Sequence, residues 1–341
     1  MNGPASRYGR QALYAELGRD GQARIERGSV AVVGVGALGC QEATLLARAG
    51  VGTLRLIDRD FVEESNLQRQ VLYEESDARD GLPKAEAARA HLVRANSTIR
   101  IEALVRDVTP SNVESLLAGV DVVVDGSDNF EVRYLLNDWC VKTDTPWVYA
   151  AAVGTSGLTM PILPRVTPCL RCLFEDPPPA GSAATCDTAG VLGPTTSFIG
   201  ALAALEALKI LAGRTDSVRR GLLRAELWTN ELSSMNLAGP SAECPCCGHG
   251  TFAFLDAADV GSTELCGRDA VQVRAPRGQG FDFERVRALL RGRDGVRDNG
   301  YLLRIADGEL TITLFPDGRA IVKGTTDAGR ARSAYARAIG V

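Results

Sequence analysis

The sequence predicts an α/β protein whose core is a doubly wound, mostly parallel sheet, followed by a small C-terminal α+β domain. Three features carry that expectation. The strand-like run at 29–35 is fully apolar, and those at 53–58 and 120–125 are mainly apolar rather than alternating, as strands buried on both faces are. Stretches with helical character separate them. A glycine-rich turn, GVGALG at 34–39, joins the first run directly to a helix. Together they describe a Rossmann-like sheet.

The elements follow in order. Residues 1–28 read as a polar, helical lead-in ending at Gly28. The strand 29–35 passes through the glycine turn into a helix that runs to Gly50, and strand 53–58 (TLRLID) ends in an acid. Behind the breaker Gly81-Leu82-Pro83, residues 84–95 are rich in helix formers, and 99–104 form a strand. Strand 120–125 (VDVVVD) leads to a helix over 130–142 and a strand over 147–151. From Asp176 the chain loosens into PPPAGSAATC, then enters a small-residue helix over 196–211, too short and Ala-rich for a membrane span. A mixed region runs to Cys247, and 248–265 reads as a linker region. Beyond it come strand 271–274, helix 282–291, strands near 301–305, 309–314 and 319–323, and a helix over 326–338. The expected domains are 1–255 and 256–341.

Composition narrows the chemistry. With 341 residues, 45% hydrophobic and 23% charged, the chain has the material for two ordinary cores. A net charge of −4, from 38 basic and 42 acidic residues with no basic block, argues against nucleic acid as the main partner. The start MNGPASRYGR lacks a signal-peptide core and no apolar run suits a membrane, so a cytoplasmic protein is expected. With only two histidines, His91 and His249, the chemistry falls to carboxylates, Arg, Lys, Cys and backbone. Nine cysteines in such a chain point to metal or sulfur chemistry rather than disulfides.

Gly34, Gly36 and Gly39, with Asp58 closing the next strand, are a nucleotide-binding arrangement: the glycines let backbone approach phosphates and the acid takes a ribose hydroxyl. That motif alone reads by default as NAD. The segment DRDFVEESNLQRQ adds Asp60, Asn66, Arg69 and Gln70, while Lys84 opens a helix and Arg10 lies in RYGRQ. Three cations and an Asn suit a triphosphate better than a dinucleotide. Asp128, in DGSDNF with Asn129, is placed to hold Mg²⁺, to cap the helix over 130–142, or both. The CxxC pairs Cys169/Cys172 and Cys244/Cys247 describe a closed tetrahedral Zn²⁺ clamp between distant segments. A redox role, or Cys246 or His249 replacing one ligand, is the alternative. Cys186 follows a flexible polar loop, which favours an accessible thiolate over a buried hydrophobe. Cys40, Cys140 and Cys266 are structural by default.

In their order, RYGRQ, GVGALG, DRDFVEESNLQRQ, GLPKAEAA, DGSDNF, PCLRC, TCDTAGVLGP and CPCC resemble the ThiF/MoeB/HesA family, the bacterial relatives of ubiquitin-activating enzymes. The resemblance covers roughly residues 5–248. It implies ATP-dependent adenylation of the C-terminal Gly-Gly carboxylate of a ubiquitin-like β-grasp carrier, with release of pyrophosphate. It also implies roles. Gly34, Gly36 and Gly39 approach the nucleotide and Asp58 its ribose. Asn66, Arg69 and Lys84 hold phosphates, with Gln70 in the same motif. Asp128 organises Mg²⁺ beside Asn129. Arg10 resembles the family arginine that reaches the ATP site of the other subunit, so a homodimer is implied. Cys169, Cys172, Cys244 and Cys247 match the zinc cysteines. Cys186 matches a cysteine that in some members captures the activated carrier and in others is dispensable, the acyl-adenylate passing to a sulfur donor.

The chain lacks the cysteine loop of a rhodanese-like domain. Residues 256–341 resemble tails on some ThiF-like chains, and read either as a module recruiting a carrier or conjugating enzyme or as a stabilising module. Two other classes compete: a non-catalytic scaffold for a β-grasp partner, and an NAD-dependent oxidoreductase that would leave Arg10, Arg69, Lys84 and the clamp unexplained.

Overall fold

Strand β1 (Ser29–Val33) lies inside the larger sheet, and Val30, Ala31, Val32 and Val33 are all buried. It pairs in parallel with β2 (Thr53–Asp58); the sheet continues to β3 (Arg100–Val105), also parallel. On its other side β1 pairs in parallel with β4 (Val122–Asp125), which in turn pairs with β5 (Trp147–Val153). The antiparallel strands β6 (Ser156–Ile162), β7 (Gly221–Glu226) and β8 (Glu231–Asn236) complete eight strands in the order β3-β2-β1-β4-β5-β6-β7-β8. The five parallel strands are the expected doubly wound core. The chain is a computed structural model that describes residues 7–178, 186–257, 262–265, 269–274 and 281–339.

Strands β6 to β8 fall where no strand was expected, for physical reasons. β6 carries Gly157 and Pro161, both poor strand residues, and every position of β8 is exposed, so no apolar signature marks it. The lead-in resolves into two short helices, Gly9–Ala12 and Gly18–Ile25.

Helices cover both faces. Ala37–Ala49 packs beside Gly193–Leu211 and Lys84–Ala95 on one face. On the other, Phe130–Lys142 and Val113–Leu117 close a core that contains Trp147, Tyr134, Leu136 and Met160. By length and composition the 19-residue helix Gly193–Leu211 could cross a membrane. Here it is a helix of the fold: Ile199, Ala203 and Ala207 are buried against β5 and β6, and a Cβ at Gly200 would stand 3.0 Å from the carbonyl oxygen of Leu38.

The chain divides into two compact units, Met1–Arg79 with Pro83–Ala257, and Asp80–Leu82 with Ala258–Val341. The second holds an antiparallel sheet of β9 (Ser262–Leu265), β10 (Ala270–Val273), β11 (Val296–Asp298), β12 (Leu303–Asp307), β13 (Leu310–Leu314) and β14 (Ala320–Lys323), ordered β11-β12-β13-β14-β10-β9. Helices Phe283–Leu290 and Ala328–Ile339 bury Phe283, Leu290, Ala334 and Tyr335 in its core. It is the small α+β module expected, with β9 inside the stretch read as linker.

Candidate active site

The strand order reverses between β1 and β4, and ligands of such sheets bind at that reversal, beyond the carboxyl ends of the strands. Three glycines lock together there. A Cβ at Gly39 would stand 1.9 Å from the Gly34 carbonyl oxygen, one at Gly126 2.2 Å from the same oxygen, and one at Gly34 2.7 Å from Gly126. Gly34 also has φ +86°, which favours glycine. Gly36 differs: the nearest atoms to a Cβ would be the Gly126 carbonyl oxygen at 3.9 Å and Gln70 Nε2 at 4.0 Å. Internal packing does not demand glycine at 36, and the open space lies at the N-terminus of the helix Ala37–Ala49, where backbone N–H groups can receive an anion. Gly126 was missed in the sequence because its partner glycines are far away in the chain.

Asp58 is buried and accepts hydrogen bonds from the backbone N–H of Val35 and of Asp60, both at 2.7 Å. Burial raises its pKa, and the Lys84 charge opposes that rise. Lys84 is also buried; its Nζ lies 3.4 Å from Asp60 Oδ2 and its backbone N–H donates to the Asp60 carbonyl at 2.9 Å. The sequence-predicted Asp58, Asp60 and Lys84 are thus brought together. Gln70 is buried beside Gly36, and its Oε1 has no hydrogen-bond partner among the described residues. Such an orphaned acceptor fits a site that a polar ligand completes.

Asn66 is buried with its Oδ1 accepting from the Glu63 N–H at 3.1 Å, so it builds the turn that carries Arg69. Arg69 is half-buried and donates to the Ser65 carbonyl at 2.8 Å. A Cβ at Gly193 would lie 3.5 Å from Arg69 Cα, which sets the start of the long helix against this turn.

At the end of β4, Asp125 is fully buried and accepts from Ser127 N–H at 2.9 Å and Ser127 Oγ at 2.6 Å. Burial raises its pKa; the Arg133 guanidinium, 3.2 Å away, pulls it back. Arg133, buried between the rings of Phe130 and Tyr149, also donates to the carbonyls of Ser127 and Ala150, and so fixes the loop before Asp128. Nothing in the sequence singled it out, because its partners lie on three elements. The cap expected of Asp128 belongs to Asn129, whose Oδ1 accepts from the Glu131 N–H at 2.8 Å. Asp128 is exposed at the carboxyl edge of the sheet, one residue before the cap.

Arg10 is not part of this cluster. Tyr8 packs under Gly50, Arg7 donates to the Ala95 carbonyl and Gln11 to that of Ala49, so the Gly9–Ala12 helix sits at the far end of Ala37–Ala49. That 13-residue helix separates it from the glycine turn by about 20 Å. Cys186 opens the short helix Cys186–Ala189; its side chain, like Cys266, lies outside the described residues. Val191 pairs with Gly154, which holds the segment after Cys186 at the carboxyl end of β5, the edge that carries the glycine turn. Burial pushes the Cys40 thiol up to about 12 and raises that of Cys140, as structural cysteines require.

The two CxxC pairs converge. The sulfurs of Cys169, Cys172, Cys244 and Cys247 all lie within 4.8 Å of one another. Cys169–Cys244 is 3.6 Å, Cys169–Cys172 3.8 Å and Cys172–Cys247 3.3 Å. A tetrahedral Zn²⁺ with ligands at ~2.3 Å needs sulfurs ~3.8 Å apart, so the donor set fits. His249 is exposed and faces Glu243 at 3.9 Å, outside the cluster.

Fold and site define a class: a nucleotide-using α/β enzyme with a four-sulfur clamp. The ThiF family matches residues 8–246. The chain belongs to that family and is an adenylyltransferase. It is 40% identical over 337 residues to the sulfur carrier protein ThiS adenylyltransferase of Bacillus subtilis (strain 168), covering 98% of this chain and 99% of that protein. It is 38% identical over 260 residues to the SAMP-activating enzyme E1 of Haloferax volcanii, covering 76% of this chain and 94% of that one. With the adenylyltransferase and sulfurtransferase MOCS3 of Culex quinquefasciatus it shares 40% identity over 246 residues, 72% of this chain and 56% of that protein, so it spans about half of it. Among solved structures, E. coli MccB with ATP superposes with a TM-score of 0.63 at 24% identity, over 72% of this chain and 75% of that one, a likeness of fold.

Proposed function

We propose that this chain adenylates the C-terminal carboxylate of a ubiquitin-like sulfur carrier ending in Gly-Gly. The observation that carries this reading is the cradle of Gly34, Gly39 and Gly126 with open space at Gly36, beside the amide nitrogen of Gln70, whose oxygen has no partner among the described residues. The whole-length relative named as a ThiS adenylyltransferase supports the carrier as substrate. The oxidoreductase alternative rests on the glycine turn and Asp58 alone, and the intact set of cations speaks against a scaffold.

The reaction needs no general base. A carboxylate is ionised near neutral pH. One of its oxygens bonds to the α-phosphorus as the bond to the bridging oxygen of the β-phosphate breaks, and pyrophosphate leaves with the electron pair. The chain's task is positioning and neutralising charge. Gly34, Gly36 and Gly39 admit the phosphates to backbone N–H groups, and Asp58, held by Val35 and Asp60, retains lone pairs for a ribose hydroxyl. Lys84, Arg69 and Gln70 line the polyphosphate path, with Asn66 shaping the turn. Asp128, with Asn129 fixing the loop by its cap, would hold Mg²⁺, which supplies charge neutralisation on the phosphates. Cys186 is the acceptor if the acyl group moves onto the chain, and a sulfur donor or conjugating enzyme takes it otherwise. The four cysteines would hold a structural Zn²⁺.

The position of Arg10 supports a homodimer. At about 20 Å from its own glycine turn it meets a nucleotide only across an interface. The free cysteines among the described residues suit a cytoplasmic protein.

ATP–pyrophosphate exchange with Mg²⁺ and a Gly-Gly carrier tests the reading. Exchange that requires both the terminal glycine of the carrier and Asp128 is the expected result. ATP binding without exchange for any such carrier would sink it.

A further inference from the structure

Five cysteines crowd a site with four places. Cys246 lies between Cys244 and Cys247 and is fully buried, yet its sulfur is not one of the four mutually close ones. A buried side-chain amide holds it. Asn137, fully buried on Phe130–Lys142, donates from Nδ2 to Cys246 Sγ at 3.2 Å. Its Oδ1 accepts from the Leu170 N–H at 2.8 Å. That second bond fixes the amide: only the oxygen can accept from Leu170, so the NH₂ must face Cys246. The neighbouring Asp138 accepts from the Phe254 N–H at 2.9 Å and anchors the chain just beyond the second pair.

We infer that Asn137 selects the ligand set of the clamp, binding Cys246 as a non-ligand and registering the two CxxC segments on one helix before any metal arrives. One amide touches both segments, Leu170 directly after Cys169 and Cys246 directly before Cys247. Removing it frees a soft sulfur close to the metal and loosens the preorganised pair, and outer partners of this kind are worth ~10–100-fold in metal affinity.

This rests on the clamp holding zinc, and the test separates the two. Elemental analysis of the full chain should give one zinc per chain; a metal-free chain would remove the zinc reading itself. Co²⁺ then replaces zinc, and its thiolate charge-transfer absorption reports the number of sulfurs bound. Cys246→Ser should leave that absorption unchanged, while Cys247→Ser loses one thiolate's share. In Asn137→Ala/Cys247→Ser the released Cys246 should fill the vacant place and restore the lost absorption. Asn137→Ala alone should lose zinc to a chelator about tenfold faster or more. A zinc-loaded chain in which Cys246→Ser loses absorption, Cys247→Ser loses none, the double variant recovers none, or Asn137→Ala holds zinc at the wild-type rate would overturn the inference.

Discussion

The hydroxyl of Tyr73 donates to the carbonyl oxygen of Val35 at 2.6 Å and stands 3.2 Å from the carbonyl of Lys84. One buried proton thereby ties the middle of the glycine turn to the first residue of the helix that presents Lys84. Tyr73→Phe keeps the ring and removes the tie. A lost hydrogen bond of this kind costs about 1 kcal/mol of stability. The expected consequence for function is a rise of several-fold in KM for ATP with kcat less affected, measured by pyrophosphate exchange. An unchanged KM in a destabilised variant would make Tyr73 a matter of packing alone.

The glycines of the turn should separate by role. Gly39→Ala drives a methyl to 1.9 Å from the Gly34 carbonyl oxygen, so the turn must move and stability falls by about 1–3 kcal/mol or more. Gly36→Ala meets nothing closer than 3.9 Å and should leave the melting temperature within a degree or two of wild type while weakening ATP binding. Thermal denaturation and nucleotide titration on the two variants check this. Equal stability losses would mean that Gly36 serves internal packing after all.

What could be read beforehand follows from where the physics is local. Parallel strands buried on both faces must be apolar, so β1, β2 and β4 stood out, and the helices at 84–95 and 130–142 agreed to the residue. Strand β8, exposed at all six positions, carries no such mark. In the site, Gly34, Asp58 and Lys84 were legible because turn chemistry and strand ends fix them. Gly126, Tyr73 and Asn137 were not, since each acts on residues distant in the chain, nor was Arg133, whose partners lie on three elements. The cap fell one residue later than expected, on Asn129 rather than Asp128, because Asp and Asn cap equally well and only backbone geometry decides.

Glu42 is a buried acid that the site does not use. It is fully buried on Ala37–Ala49 and neither oxygen has a hydrogen-bond partner among the described residues. Burial, then the nearby Asp125 charge, raises its pKa well above the usual 4.5. A carboxyl whose folded pKa is raised binds more protons in the folded state, so stability falls as pH climbs from the unfolded value to the folded one. Glu42→Gln removes that dependence. The variant should gain about 1–3 kcal/mol over wild type at about pH 8, a gain that shrinks towards the unfolded pKa. Chemical denaturation at both ends of this range checks it, and a gain independent of pH would contradict the assignment.

The separation of Arg10 from Asp128 makes a sharper prediction about the assembly. If Arg10 serves the partner's nucleotide, Arg10→Ala and Asp128→Ala chains are each inactive for different reasons. A mixed dimer then holds one site with both residues intact, its Asp128 from one chain and its Arg10 from the other. Random pairing of equal amounts makes half of the dimers mixed, so about a quarter of wild-type exchange activity should return on mixing after subunit exchange. Were Arg10 to act within its own chain, no mixed dimer could hold a complete site and activity would stay at the level of the separate variants. Recovery would also establish the dimer, since two monomers that never associate cannot complement each other.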